Sequence, residues 1–391
     1  MLNRRILRVK ALQSLYSYYI AKKSLRKVVR QQLMDKYELD PAVHDFSDKP
    51  FFAQRKKLLG ELFDQILDQH PGQIADLSDE EVEDVREFVE KYRSEVASEH
   101  IRIRKLMLEE LDDIYGNYLK MLLLPVEFQF IEKQEQEKRE RTISKTPPKN
   151  WNYNLVRNPV VDALSGFEPL QKKAIDNKIS WQKDIEEVRL WYRDILKKDD
   201  TYQAYQAKED LAIEDHLSIL VHLFKKNLFK NETLNNYYTG IDLYWEENKI
   251  SLKSMVTKTI KSYEPDLDEP FELLSLSRNE EDDFAFFKDL FDETINREEK
   301  LDEIISRKTK NWDFTRVAET DKIILKMAIT EMMIFASIPV KVTINEFIEI
   351  SKNYSTPKSK QFINGILDVL ANELTSEGVI KKSGRGLIDN K

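Results

Sequence analysis

No cysteine occurs among the 391 residues. That excludes a disulfide framework, a thiolate metal site and a cysteine nucleophile, and it fits a reducing, cytoplasmic setting. Glycine is scarce, with nine in the whole chain, while 34% of residues are charged. Such a balance favours long, solvated helices over a β-rich fold, so the expected class is all-α. No uncharged apolar run approaches the roughly 20 residues that span a bilayer, so no membrane partner is expected. Motifs of chemistry are missing too. There is no GxxxxGK[ST] phosphate loop, no GxGxxG and no HExxH pair among the five histidines His44, His70, His100, His216 and His222. Glu214-Asp215-His216 beside an apolar run fits a helix surface, and Glu280-Glu281-Asp282-Asp283 fits a helix start favoured by the dipole. The sequence therefore predicts no enzyme, no metal and no cofactor.

What is present is uneven. The formal charge is −8, yet residues 1–34 hold nine Lys/Arg and no Asp or Glu, leaving −17 on the rest. A basic end on an acidic body suggests a local anionic partner, such as nucleic acid. From Asn3 to about Lys23 the periodicity is helical. Ile6, Val9, Leu12, Tyr16 and Tyr19 form one apolar set, and Leu7, Ala11, Leu15 and Tyr18 another. Arg4 and Arg8 share a face at the helix start, where arginines can grip phosphates and stack on bases of single-stranded RNA. A solvated face, an organellar transit peptide and a short signal-peptide core at residues 11–21 are the bland readings of this end. Tyr16 suits core packing as well as RNA contact.

Between Trp312 and Leu370 the chain reads as three helices. The first runs from about Thr320 to Ala336, with Pro339 as its stop. The second runs from Thr343 to Tyr354 with Pro357 beyond it, and the third starts at Ser359 as N-cap. Gly365 inside the third suggests something packed close to its backbone, since glycine there costs about 1 kcal/mol against alanine. Ile344-Asn345-Glu346, Tyr354, Ser359 and Phe362-Ile363-Asn364-Gly365-Ile366-Leu367-Asp368 resemble the C-terminal signature of the NusB family of bacterial transcription antitermination factors. Asp321 to Ala328, Pro339-Val340-Lys341-Val342, and the N-terminal Arg4-Arg5-Ile6-Leu7-Arg8 with Ala11 to Tyr16 resemble it as well. Phe286, Phe287, Leu290, Phe291, Ile295, Leu301, Ile304 and Ile305 fit the helices before that signature.

The resemblance covers about residues 3–20 and 282–370, is arguable over 202–263 and is absent over most of 24–200. It implies a NusB-like bundle made of residues 1–24 and 201–375, a helical insertion at 25–200 and a polar tail at 376–391. In the insertion, residues 76–113 carry fourteen Asp/Glu against six Lys/Arg. Pro125 should end a helix begun near Glu99. Glu127 to Arg141 should be an exposed charged helix, and Thr142 to Pro169, with Pro147-Pro148, a linker. Single helices are expected over Gln171–Lys198 and Tyr202–Lys230.

By the same resemblance the function is RNA binding without catalysis. A NusB-like factor pairs with NusE, a small-subunit ribosomal protein, binds boxA-like single-stranded RNA in ribosomal transcripts, and joins the RNA polymerase antitermination complex. Carried over by position, Arg4, Arg5, Arg8 and Tyr16 are one group of RNA contacts. Lys358, Lys360, Gln361 and Phe362 are a second, beside Ser359. Phe362 suits core packing equally, and Lys358 stands where some members have an acid. Asp321 and Glu331 fall on the helix used against NusE, although either could serve an internal ion pair. Two other readings stay open: a protein-interaction scaffold working through the acidic insertion, and a ribosome-assembly factor without antitermination activity.

Overall fold

The computed structural model describes all residues except 1–3, 41, 70–75, 142–150, 278, 309–316 and 391. Trp312, Pro147-Pro148, Pro41 and His70 therefore lie outside the described residues. Among those described there are fifteen α-helices and no strand, the all-α class expected. They are α1 Arg4–Lys36, α2 Lys49–Leu67, α3 Asp79–Glu140, α4 Pro159–Gly166, α5 Glu168–Asp176, α6 Ile185–Trp191, α7 Asp200–Ala207, α8 Ile213–His222, α9 Glu232–Ile241, α10 Trp245–Lys261, α11 Glu280–Asn296, α12 Glu298–Lys308, α13 Glu319–Ile334, α14 Val340–Tyr354 and α15 Ser359–Ser376. They fall into two compact units, one of Glu109–Glu280, the other of Arg4–Leu108 with Glu281–Lys391. These units do not coincide with the division at residues 24 and 200 suggested by the sequence. Residues 25–108 share a unit with the C-terminal helices, while α7 to α10 share one with residues 109–200.

In the unit that holds the C-terminal helices, α13 is the central element. Every residue from Ile323 to Met332 is buried, as expected of a helix packed on all sides. α1, α12, α14 and α15 surround it. Pro339 does not stop α13, which ends at Ile334; it starts α14 instead. α1 contributes Leu7, Ala11, Leu15 and Tyr18, together with Leu12 and Tyr19, to the interior, whereas Tyr16 is 43% exposed. α1 does not end near Lys23 but runs unbroken for 33 residues. No glycine or proline interrupts it, and Val29 and Leu33 continue the apolar spacing. They close a second core with Leu59 and Phe63 of α2 and Val85, Val89 and Tyr92 of α3.

The unit Glu109–Glu280 has an aromatic interior. Trp181, Trp191, Trp245, Tyr192, Tyr202 and Tyr238 are fully buried. Its first segment is the later part of α3, a 62-residue helix that passes straight through Pro125. Proline in a helix interior costs about 3 kcal/mol, because it loses a hydrogen bond and crowds the preceding turn. Here Met121, Leu122, Leu124 and Phe128 are all buried around it, and burying four such side chains outweighs that cost. Further sequence expectations fail in this unit. The described part of the expected linker, residues 151–169, turns helical at Pro159, with the Asn158 side chain capping α4. The expected helix 171–198 breaks into α5, α6 and a π-helical turn at Tyr192–Leu196, and Tyr202–Lys230 also divides.

The expected exposed helix Glu127–Arg141 is the other surprise, since its Glu132 is wholly buried. The carboxylate accepts from Tyr192 Oη at 3.1 Å, from Gln206 Nε2 at 2.8 Å, and from Tyr202 Oη. Burial raises its pKa to about 7, against the opposing pull of those hydrogen bonds. The folded chain thus keeps a proton that the unfolded chain releases near pH 4.5. Stability from this group is full below that pH, falls as pH rises towards 7, and is level above. We expect Glu132→Gln, which cannot ionise, to gain on the wild type by up to about 3 kcal/mol over that interval, measured by urea unfolding at a series of pH values. A constant difference between the two proteins across the range would refute it.

Candidate nucleic-acid interface

The N-terminal arginines lie against the C-terminal signature. Arg8 Nε and Nη2 donate to the two oxygens of Glu331 at 2.6 and 2.7 Å. Thr343 Oγ1 donates to the same carboxylate at 2.7 Å. The side chains of Arg8 and Glu331 are 4% and 0% exposed. Arg8 is therefore corrected from an RNA contact to an interior anchor, and Glu331 from a partner contact to its counter-ion. The physical reason is that a buried guanidinium and carboxylate each require the other. Asp321 is corrected likewise. It is buried and accepts from Ser359 Oγ at 2.6 Å and from Ser355 Oγ. Ser359 spends its hydroxyl on Asp321 and does not cap α15; Lys358 occupies the N-cap position without a side-chain cap. Asp321 thereby pins the turn that carries Lys358, Lys360 and Gln361.

Around this interior lies a basic face. Arg5 is 53% exposed and donates from Nε and Nη2 to Glu346 at 2.7 Å each. This pairing holds the Glu346 carboxyl below its usual range, and raises the Arg5 pKa. Arg4 pairs with Asp283 at 2.9 Å, and its guanidinium lies 5.0 Å from the Phe286 ring centroid. One turn on from Glu346, Glu349 is held below its usual range by Lys352 first, and also by Arg5 and Lys360. Glu346 fixes Arg5 to α14, and α14 packs against α15, which carries Lys360 in its first turn, so the fold brings the two expected basic groups to neighbouring helices. Lys358, Lys360 and Gln361 are exposed and Phe362 is half-buried. Tyr16 is eleven residues from Arg5, which puts it on the same face of α1, about 16 Å along the axis.

Sequence reasoning missed Glu346 and Glu349 as holders of this face, and Thr343 as the third partner of the anchor. The signal for Glu346 was present, as a charged residue inside the apolar signature. Most of the basic end is also spoken for. Lys22 pairs with Glu298, Arg26 with Asp64 and Asp68, and Arg30 with Asp64. The anion that the N-terminal charge asymmetry implied is in large part the acidic body of the chain itself. Gly365 gives no support to a close approach, because an added Cβ would meet nothing within 4 Å.

Removing one partner of the anchor leaves the other charged and buried. Arg8→Ala and Glu331→Ala should each destabilise the unit by about 3–5 kcal/mol. The double variant Arg8→Ala with Glu331→Ala should cost less than the two single variants summed, measured by urea unfolding. Additive costs in that cycle would show that the two groups do not depend on each other.

The sequence profile of the NusB family matches residues 247–372. The chain is 45% identical over 103 residues to the transcription antitermination protein NusB of Salinibacter ruber, covering 26% of this chain and 64% of that protein. It is 46% identical over 107 residues to that of Chloroherpeton thalassium, covering 27% and 50%. For Natranaerobius thermophilus the identity is 38% over 91 residues, 23% and 66% of the two chains. The aligned region thus spans between half and two thirds of these relatives. A solved structure of T. maritima NusB aligns at 27% identity over 40% of this chain and 90% of its own, with a TM-score of 0.22, too low to speak for the fold. The profile match takes in α13, α14 and α15, with Glu331, Glu346 and the Ser359 turn, and does not reach α1. Over residues 247–372 this chain carries a NusB-family domain.

Proposed function

We propose that this protein is a non-catalytic transcription antitermination factor that binds boxA-like single-stranded RNA together with NusE. The relatives' shared name supports the role. The observation that carries it is that α14 holds Arg5 through Glu346 and packs against α15, whose first turn carries Lys360, so basic residues from opposite ends of the chain meet on neighbouring helices. In this reading α1 completes the NusB-like bundle from outside the profile match, and Arg4, Arg5, Tyr16, Lys358, Lys360, Gln361 and Phe362 meet the RNA. The lysines and Arg5 hold phosphates, and Tyr16 and Phe362 offer rings for bases. Glu346 and Asp283 keep the arginines extended until RNA arrives. An exposed ion pair is worth only about 0–1 kcal/mol, so a phosphate can displace the carboxylate. Asp321 and Glu331 are interior, so NusE would meet other residues. The factor would act in the cytoplasm within the RNA polymerase antitermination complex, and needs no cofactor.

The deciding measurement is fluorescence anisotropy with a boxA-like RNA and a scrambled RNA of equal length, with and without NusE, over a salt series. Scrambling should weaken binding and NusE should tighten it. Arg5→Ala and Lys360→Ala should each make the log–log salt slope shallower by about 0.7, one phosphate contact apiece. Equal binding of both RNAs, unmoved by NusE, would leave only the fold.

A further inference from the structure

The unit Glu109–Glu280 carries a basic cluster that the interface above does not use. After α8 the chain makes a π-helical turn at Leu223–Asn227 and a tight 3₁₀ turn at Leu228–Lys230. These turns direct Leu223, Phe224, Leu228 and Phe229 inward and leave Lys225, Lys226 and Lys230 exposed. α10 packs against the π-helical turn and contributes Lys253. The Lys253 ammonium lies below its usual pKa because of burial, and then because of Lys230, Lys226 and Lys225. Asp199, which meets this turn through Asn227, is already committed. Asp199 accepts from His222 Nε2 at 3.1 Å, from Asn227 Nδ2 at 2.9 Å and from the Tyr202 amide at 2.8 Å. Several other lysines of this unit are paired, as Lys197 is with Glu135, Lys208 with Asp215 and Lys249 with Glu246.

Like charges gathered without counter-ions cost free energy unless an anion completes them. We propose that Lys225, Lys226, Lys230 and Lys253 form a second contact surface for RNA, one that holds the phosphate backbone of single-stranded RNA without reading its sequence. This rests on the RNA-binding reading above. An anionic membrane is the less suitable partner. Surface-bound helices seat apolar side chains among the lipids, and the apolar residues of these two turns all face the interior.

The test uses the full chain and three probes: the short boxA-like RNA, the same RNA extended at both ends by unrelated single-stranded sequence, and anionic phosphatidylglycerol vesicles. Wild type should bind the extended RNA more tightly than the short one. The triple variant Lys225→Gln, Lys226→Gln, Lys230→Gln should lose that gain, about tenfold at low salt, with a salt slope shallower by about 2. Its affinity for the short RNA should be unchanged, while Arg5→Ala should weaken both. Far-ultraviolet circular dichroism of the variant checks that these exposed changes leave the fold intact. Lys253→Met, changed alone, should reduce the extended-RNA gain in the same direction. If the triple variant keeps the gain, or wild type shows none while binding the short RNA, the second surface is wrong and the first stands. If wild type binds neither RNA, both fall. Binding to vesicles in preference to RNA would also overturn it.

Discussion

The buried pair of Arg8 and Glu331 is the constraint on which the unit of α1 and the C-terminal helices depends. Two charges are removed from water at the centre of the bundle, and each is tolerable only because the other lies within hydrogen-bond distance in a two-pronged geometry. The pair joins the first helix to α13 across 323 positions of sequence. It also sets the register of what surrounds it. With Arg8 turned inward, Arg4 and Arg5 are left at the rim, where Asp283 and Glu346 receive them. Thr343 brings α14 to the same carboxylate. A pair of this kind adds little net stability compared with a well-packed apolar substitute, but it punishes any arrangement that separates its halves.

α1 serves two cores in turn. Its first turns pack on α13, and its last turns, through Val29 and Leu33, pack on α2 and the start of α3. Lys22, Arg26 and Arg30 are paired on the way with Glu298, Asp64 and Asp68. This explains why one helix carries so many cations without being an open basic surface. Charge counted along a sequence does not reveal which charges meet. Here the acidic body returns to neutralise the basic end, and a free cluster appears instead on the other unit, at Lys225, Lys226 and Lys230, where the sequence shows only three ordinary lysines.

The candidate interface divides along the same line. Its outer residues, Arg5, Lys358, Lys360 and Gln361, were singled out by their place in a recognisable signature, and they are exposed. Its inner residues were legible as important, with an internal ion pair left open for Asp321 and Glu331, but the sequence did not choose between the roles. Asp321, Glu331 and Arg8 stand in that pattern, yet they act on other side chains: Asp321 pins the Ser355–Ser359 turn and the other two anchor the bundle. A residue that presents a surface and one that touches a partner leave the same trace in sequence. Only burial separates them.

By itself the sequence determined the all-α class, the three C-terminal helices to within a few residues, the absence of recognisable catalytic motifs and the NusB-like signature. Those follow from local rules: apolar spacing of three and four, proline at helix boundaries, scarce glycine. Tertiary structure decided the rest. Pro125 is passed over because Met121, Leu122, Leu124 and Phe128 gain more by burial than the proline costs. Glu132 lies in a segment that reads as a solvated helix, yet Tyr192, Tyr202 and Gln206 come from distant positions to receive it. The division into two compact units was likewise not local, since it depends on which faces find each other after the helices form. Helix formation is written in neighbours along the chain. Charge pairing and burial depend on neighbours in space, and these exist only once the chain has folded.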